Sequence, residues 1–322
     1  MKVHSPLLLL IFIVCCQNSF GQFTDDVNSN RPGRSMMAFS VGKTVMQTET
    51  GVHYVSEDHN TLDYKAGGVM AEFDFRWGLF FEQLELIAEL QYQNDSYSSD
   101  LIDKNRSALK KTLLGAKYLV YDPFKNYEEK PNLYSWKANH SFKWRQLIPA
   151  VGVYAGVNLN FSDNPFNYAP VGIEESAISP KAMLIAQNHF GSRWVLVTNL
   201  SYNKIGTDFA SIDYIITLTR GFNKQWSGFI ENQGYNSDFY SDGLFRLGAA
   251  YLFNKDMQID ASVGKNIKNT PSIMTAGVGF SWRFTKNYKE VKIEIDKGSK
   301  MDKKVKKKAE KEEKKRKDAV GE

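Results

Sequence analysis

The sequence predicts an all-β protein: a transmembrane antiparallel β-barrel of about 12 strands, followed by a charged C-terminal tail. Two observations predict this fold class. Apolar and polar residues alternate in segment after segment between residues 46 and 284, and the connections alternate between short and long. Alternation with a period of two is typical of β-strands. Short turns at one end and longer loops at the other are typical of outer-membrane barrels.

The first 21 residues have the features of a secretory signal peptide. Lys2 is followed by ten apolar residues (7–16), and a small-x-small cleavage site ends at Gly21. This apolar stretch is too short to span a membrane as a helix. A lipoprotein signal is the alternative because Cys15 and Cys16 lie close by, but the bulky residues before them favour ordinary cleavage.

Cys15 and Cys16 are the two cysteines of the sequence, and both lie in the segment that we expect to be removed. Disulfides, thiolate metal sites and a cysteine nucleophile are therefore excluded for the mature chain. A closed ladder of strands would stabilise an exported chain of this length without disulfides. No mature stretch approaches 18 consecutive apolar residues, which excludes a helical membrane protein.

Positive charge is concentrated at the C-terminus. Residues 286–322 carry 15 Lys and Arg and 9 Asp and Glu, a net charge of +6, whereas the whole chain has +5. The remaining residues therefore come to −1, so the body has no basic surface of the kind that binds nucleic acid.

The alternation defines the strands. In 83–93, QLELIAELQYQ, the leucines and Tyr92 share one face, while Glu85, Glu89 and two glutamines share the other. Each such segment is close to the 9–11 residues that a tilted membrane strand needs. We predict strands over about 46–56, 65–77, 83–93, 111–122, 148–160, 179–188, 194–203, 210–220, 225–234, 243–253, 257–265 and 273–284.

The predicted chain has four parts: a signal peptide (1–21), an N-terminal lead-in segment (22–45), a barrel (46–284) and a Lys/Glu-rich tail (285–322). Two connections, 94–108 and 162–178, are long and polar and are expected to be outer loops. A third long connection, 123–147, falls at the periplasmic end and is either a loop or an unrecognised hairpin. We expect no plug domain ahead of residue 46.

Tryptophans provide an independent indication, because they were not used to place the strands. Membrane barrels carry aromatic girdles at their interfaces. In a soluble β-sandwich, by contrast, aromatic residues more often pack in the core. The proposed periplasmic girdle consists of Trp77, Trp194, Trp226 and Trp282, with Trp136 and Trp144 in the nearby connection.

Several segments resemble a family of outer-membrane barrels associated with the meta-cleavage (MetA) pathway of phenol degradation. NSNRPGRSMMAFSVGKTVMQTETGVHY is similar to its Arg-Pro lead-in, although Asn30 stands where the family usually has Asp. FRWGLFFEQLEL, SDGLFRLGAAYLFNKDMQIDASVG and GVGFSWRF are similar to its later turns and strands. The resemblance covers residues 28–284 in patches and implies an outer-membrane barrel with a transport role and no proven substrate.

The inward faces of the predicted strands are charged. Charged linings select permeants by sign, and an excess of acids would favour cations or polar solutes. Alternatively, these groups pair across a narrow lumen and help to close it. The lumen-lining candidates are Glu49, Glu72, Asp74, Glu85, Glu89, Asp213, Glu231 and Asp260 among the acids, and Arg76, Lys117, Arg246 and Arg283 among the bases.

We expect no enzymatic activity. His53, Ser56 and Asp58 are a nearby set of catalytic residue types at the outer end, and their spacing matches no known nucleophile motif. The histidines and acids have no paired metal-ligand spacing, and no nucleotide-binding glycine loop is present, so we expect neither a metal nor a cofactor.

The sequence thus predicts a passive channel in the outer membrane of a Gram-negative cell, with membrane lipid and small polar solutes as its partners. The alternative is a structural barrel with a closed lumen, whose cationic tail binds cell wall or an acidic periplasmic partner. The tail contains Glu–Lys pairs at helical spacing but no apolar face, so it is expected to lie outside the membrane.

Overall fold

The computed structural model describes residues 27–124, 134–135, 143–161, 164–168, 172–191 and 193–285. The predicted signal peptide, the charged tail beyond Thr285 and Trp136 lie outside these residues. All described residues belong to one compact unit that ends at Asn287.

Twelve strands form in the described part of the chain. They are β1 (Met46–His59), β2 (Tyr64–Gly78), β3 (Leu84–Ser99), β4 (Asp103–Tyr121), β5 (Ala150–Leu159), β6 (Ile178–Phe190), β7 (Trp194–Asn203), β8 (Ser211–Gly221), β9 (Trp226–Ser237), β10 (Ser241–Asn254), β11 (Met257–Asn266) and β12 (Ser272–Phe284). One short 3-10 helix, Trp144–Leu147, precedes β5. Within the described ranges, no helix has the length and apolar character needed to cross a membrane.

The strands pair in chain order, and the last closes on the first. Every pair is antiparallel, and β1 pairs with β12 from Met46 opposite Phe284 to Asp58 opposite Ser272. Closure gives partners to backbone groups that lipid cannot satisfy. The predicted 12-strand antiparallel barrel is confirmed, and strand bounds differ from the predicted ones by at most three residues except in β3 and β4.

We call the two ends of the barrel the tryptophan end and the loop end. At the tryptophan end the connections are 79–83, 122–149, 191–193, 222–225 and 255–256. At the loop end they are 60–63, 100–102, 160–177, 204–210, 238–240 and 267–271. The long 122–149 connection joins two strands that pair directly with each other, so no further strand separates β4 from β5 in the barrel.

The β3–β4 hairpin is longer than predicted, and the expected loop over 94–108 is wrong. Only three residues connect β3 to β4. Across the pair, Ser96 Oγ donates to Asn105 Oδ1 at 3.0 Å and Ser98 Oγ donates to Asp103 Oδ1 at 2.6 Å. The outward face is polar here, so the apolar alternation stops although the backbone pairing continues.

The outward face of the barrel wall is apolar over a limited height. On β12 this face runs from Met274 through Val278, which is 62% exposed, to Trp282. Eight residue steps at about 3.3 Å each correspond to roughly 26 Å of strand. At a tilt of about 40° this length covers about 20 Å of the roughly 25 Å apolar band of a membrane barrel.

Residues 27–45, which we call the inserted segment, lie inside the barrel. The expectation of no plug ahead of residue 46 is therefore wrong. The segment starts and ends near the tryptophan end: Val27 N–H donates to the Lys255 carbonyl at 2.7 Å, and Thr44 N–H donates to the Gly78 carbonyl at 3.0 Å. Between these points it makes contacts with inward side chains from both halves of the barrel, as described below.

One side of the inserted segment builds a small apolar core within the lumen. Its side chains come from the segment (Met36, Ala38, Phe39) and from the inward faces of β3, β4, β5 and β6 (Ile87, Leu113, Leu119, Ala150, Tyr154, Ile185). All of them are buried. Burial of this apolar area fixes the segment against these four strands.

Candidate functional site

The interior of the barrel is the candidate site. The alternation places all twelve sequence-predicted lining residues on the inward face. Eight of them are buried: Glu49, Glu72, Arg76, Glu85, Lys117, Glu231, Asp260 and Arg283. The other four remain partly exposed to the open part of the lumen: Asp74, Glu89, Asp213 and Arg246.

Arg76 is the centre of a buried network near the tryptophan end. Its Nε and Nη2 donate to the two carboxylate oxygens of Glu85 at 2.5 and 3.2 Å. Its Nη1 donates to Glu49 Oε1 at 2.9 Å and to the Asn28 carbonyl at 2.5 Å. Arginine thus joins two strands to the inserted segment, and its planar fork suits this bidentate contact.

Lys117 extends the network from β4. Its Nζ lies 3.1 Å from Glu85 Oε2 and donates to the carbonyls of Met37 and Phe39 at 2.9 and 3.0 Å. Glu85 in turn accepts the N–H of Val41 at 3.1 Å. Backbone groups of the inserted segment, which form no ladder of their own here, therefore obtain partners from strand side chains.

Arg31 forms the second ionic group. Its Nη1 donates to Glu72 Oε2 at 2.9 Å and its Nη2 donates to Asp260 Oδ1 at 3.1 Å. The guanidinium lies directly over Gly51 and Gly279, where an added Cβ would come within 2.4 Å and 2.2 Å of its nitrogens. Only glycine leaves room for the guanidinium between β1 and β12.

Arg34 links the segment to two parts of the barrel. Its guanidinium pairs with Glu72, and its backbone N–H donates to Glu231 Oε2 at 2.8 Å. Burial disfavours the charged guanidinium, but attraction by Glu72, Asp74 and Glu231 outweighs burial and raises the pKa of Arg34. Arg34 therefore remains protonated at any physiological pH.

The Glu231 carboxylate has three polar contacts and no exposed surface. Its Oε2 accepts the Thr217 hydroxyl at 2.7 Å as well as the Arg34 N–H, and its Oε1 lies 2.5 Å from Arg246 Nη1. The second Arg246 nitrogen donates to Gln233 at 2.7 Å. Glu231 thus connects β8, β9 and β10 to the inserted segment.

Two interior bases of β4 were not among the predicted lining residues. Lys111 lies on the inner face because it is an even number of residues from Lys117, and the register shift between Gln91 and Tyr92 brings Lys110, the extra residue of a β-bulge, to the same side. Lys110 Nζ donates to Gln93 Oε1 at 3.1 Å, and Lys111 pairs with Glu89. A bulge inserts one extra residue and re-aims the side chains around it.

The acid excess predicted for the lumen is therefore smaller than expected. Arg31 and Arg34 lie on the inserted segment, Lys110 is brought inward by the bulge, and Lys111 lies on the inner face of β4. Lys181 on β6 also faces inward. In the sequence, Arg31 was indicated by the Arg-Pro that resembles the family's lead-in. No local pattern in the sequence indicates the bulge.

A further ionic and aromatic cluster lies inside the loop end. Arg106 donates to both oxygens of Asp95 at 2.8 Å and lies 3.3 Å from Glu57. Its guanidinium lies between the rings of Tyr97 and Phe166, at 5.0 and 5.1 Å from their centroids. Phe166 belongs to the 160–177 connection, so this loop folds over the inner side of the mouth.

Tyr240 lies beside this cluster at the loop end. Its hydroxyl donates to Asp242 Oδ2 at 2.6 Å, and its ring stacks on Tyr168 at 4.6 Å between centroids. Burial and the carboxylate of Asp242 raise the pKa of the Tyr240 phenol.

The candidate catalytic residue types do not meet. His53 faces inward, where its Nε2 lies 3.2 Å from Glu72 Oε2, whereas Ser56, an odd number of residues away, lies on the other face of the strand. Asp58 is likewise on the face opposite to His53. In the described ranges, no group of three or more metal-ligating side chains is arranged to hold an ion.

The four tryptophans of the predicted girdle all lie at one end. Trp77 is the penultimate residue of β2, Trp282 lies near the end of β12, and Trp194 and Trp226 begin β7 and β9. Trp144, in the 3-10 helix, is at the same end. Tyrosines mark the other border of the apolar band, where Tyr54, Tyr92, Tyr202 and Tyr214 face outward.

A cavity of about 100 Å³ remains beside the inserted segment. On one side it is lined by the segment between Val27 and Met37. On the other side its lining comes from β7 to β11: Val197, Thr217, Thr219, Ser227, Gly228, Phe229, Ala250 and Gln258. No strand residue in this lining is ionised.

A family model described as "Putative MetA-pathway of phenol degradation" matches residues 29–284. The chain belongs to this family. The match covers most of the inserted segment as well as all twelve strands. The resemblance found in the sequence is confirmed.

A solved structure with a TM-score above 0.5 shares the fold of this family member. A crystal structure of an outer-membrane channel from Pseudomonas putida F1 has a TM-score of 0.53 and 13% identity, covering 80% of this chain and 100% of that chain. The KdgM porin in complex with disordered oligogalacturonate has a TM-score of 0.42 and 11% identity, covering 73% and 99%. No match is found among curated proteins. At these identities the likeness concerns the fold alone.

Proposed function

We propose that this family member is a passive outer-membrane channel for small polar solutes, with the inserted segment narrowing its lumen. The cavity beside the inserted segment carries the proposal. A barrel that served only as a wall or anchor would have no need for a cavity along the segment.

The charge arrangement supports polar rather than apolar permeants. Asp74, Glu89, Asp213 and Arg246 are partly exposed on the inward face, and so is Lys111 beside Glu89. Ionised groups lining a lumen attract water and disfavour the passage of aromatic hydrocarbons. The phenol-degradation description of the family names a pathway and is not carried to this chain as a substrate.

The tryptophan end is proposed to face the periplasm. The first strand starts and the last strand ends there, and short turns predominate there, as in outer-membrane barrels. The predicted signal peptide supports export. In this orientation Trp77, Trp194, Trp226 and Trp282 form the periplasmic aromatic girdle, and the twelve inward residues described above line the channel.

The test is single-channel conductance of the refolded mature chain in a planar bilayer with a salt gradient. Steady openings are expected, and Glu89→Gln is expected to shift ion selectivity towards anions because Lys111 loses its partner. The outward-facing variant Thr198→Val is the control and is expected to leave selectivity unchanged. Silence from a correctly folded barrel would refute the channel.

The second candidate is an anchoring barrel, favoured by the ion pairs of Arg31 and Arg34 that fix the inserted segment inside the lumen. Its working part would be the cationic tail, which binds cell wall or an acidic partner through long-range attraction. Binding of the full-length barrel to isolated cell wall should then weaken steeply with added salt. Equal binding by a chain ending at Thr285 would exclude the tail.

A further inference from the structure

The inserted segment is held unevenly. Towards β1–β4 and β12 it is fixed by the Arg31, Arg76 and Lys117 networks, and by the apolar core around Met36 and Phe39. Removing one partner of such a buried ionic contact leaves the other charge uncompensated. Separating these contacts is therefore strongly unfavourable in free energy.

Towards β6–β10 the contacts are fewer: amide side chains of β6 and β7 and the carboxylate of Glu231 on β9 hold backbone groups of the segment. Asn199 accepts the Met36 N–H at 2.6 Å and donates to its carbonyl at 2.9 Å, and Gln187 accepts the Ala38 N–H at 2.9 Å. The cavity lies nearer the tryptophan end than these contacts. A volume of about 100 Å³ holds several water molecules, since roughly 10–15 Å³ suffices for one.

Glu231 lies next to this cavity on the side of the loop end, where Thr217, a lining residue, donates to its carboxylate. Its carboxylate accepts both the Thr217 hydroxyl and the Arg34 N–H, and so bridges the wall and the segment across the gap. Gly33 comes so close that an added Cβ would lie 2.7 Å from Glu231 Oε2. Nearer the loop end than Glu231, the side chains of Gln233 and Asp213 are partly exposed.

We infer that solutes pass the inserted segment along its β7–β10 side while the segment stays in place, that Glu231 is the narrowest point of this route, and that the route takes small uncharged polyols. This inference rests on the proposed channel function. Hydroxyls and an amide from Thr219, Ser227 and Gln258 line the cavity and can exchange hydrogen bonds with a polyol. Arg31, the charged group in the lining, is already committed to Glu72 and Asp260.

The route can be mapped with single cysteines because the mature chain is expected to contain none. Ala250→Cys lines the cavity, and Ala150→Cys is the matched control, buried in the apolar core on the opposite wall. A thiol-specific methanethiosulfonate reagent added at the tryptophan end should lower the conductance of the Ala250 variant several-fold and leave the Ala150 variant unchanged. Block at Ala150 but not at Ala250 would overturn the inference, as would block at neither.

A disulfide tests whether the inserted segment must leave the lumen before solutes can pass. The hydroxyls of Ser29 and Ser281 are 2.7 Å apart, so Ser29→Cys with Ser281→Cys is placed to bridge the segment to β12. With the bridge confirmed by mass spectrometry, conductance and glycerol flux should equal those of the reduced form. Conductance that appears only on reduction would overturn a route past a stationary segment.

The narrow point is tested by Glu231→Gln in liposome swelling with glycerol, erythritol and sucrose. An amide accepts fewer of the three donors, so the bridge to the segment weakens and glycerol entry should rise several-fold. Glu175→Gln, which removes the same charge at the loop end where Glu175 pairs with Lys204, is the control and should not change it.

Two outcomes of the swelling assay would overturn the inference: equal glycerol entry in the wild type and the Glu231 variant, or wild-type entry of glycinate as fast as that of glycerol. A chain that conducts no ions and passes no solute would instead refute the channel function itself, so the two failures are distinguishable.

Discussion

Replacing Arg76 with methionine should destabilise the folded barrel by about 3–5 kcal/mol, the range typical for breaking a buried ion pair on one side. Methionine has similar length and no charge, so it fills the space while removing every donor. Glu49 and Glu85 would remain buried with their main positive partner gone.

The magnitude follows from the contacts. Arg76 makes four hydrogen bonds, at 2.5, 2.5, 2.9 and 3.2 Å. At about 1.5–3 kcal/mol for each bond to a charged group, the gross loss is roughly 6–12 kcal/mol. Glu85 keeps Lys117, and Glu49 keeps Ser29 and Gln47, so these remaining partners reduce the net loss to the stated range.

Urea unfolding of the refolded chain in lipid vesicles, followed by tryptophan fluorescence, measures the change in free energy. Arg220→Met is the control, because Arg220 faces outward over the Trp194 ring at 4.9 Å and should contribute no more than about 0.5–1 kcal/mol. If the Arg76 and Arg220 variants unfold at the same urea concentration, the buried network does not stabilise the barrel and the reasoning is refuted.

Three further outcomes are expected. Deleting residues 27–45 should raise single-channel conductance several-fold, because the lumen loses its inserted segment; unchanged conductance would contradict occlusion. Met36→Ala should cost about 2–5 kcal/mol as a buried large-to-small change, against under ~1 kcal/mol for the lipid-facing Met46→Ala, measured by urea unfolding. Val278→Arg, in the middle of the apolar band, should lower the free energy of unfolding by about 2–4 kcal/mol, whereas Ser272→Arg near the loop end should lower it by roughly 0–1 kcal/mol. Equal losses would show that the apolar band is not centred on Val278.

The alternation of residue types was enough to predict which side chains face inward. Glu85, Arg76 and Asp260 were placed on the inner face because successive side chains of a strand point to opposite sides. The alternation was lost in the outer part of the β3–β4 hairpin, where Ser96 and Asn105 face water and the apolar signal disappears although backbone pairing continues.

The inserted segment could not be recognised in the same way. Residues 27–45 have neither a strand nor a helix period, because their backbone groups are satisfied by single side chains such as Asn199 and Glu85. Those partners lie far away in the chain. Only the Arg-Pro of the family resemblance indicated that the lead-in had a role, and it did not indicate where the segment lies.

By itself, the sequence determined the fold class, the number of strands and the inward face of each strand, because these depend on a local period of two. Only the tertiary structure decided the contacts across the lumen. Ser29 meets Ser281 and Arg31 meets Asp260, more than 200 residues apart, because the sheet closes and encloses the segment. The register shift that brings Lys110 inward likewise depends on how β4 pairs with β3, which no local pattern specifies.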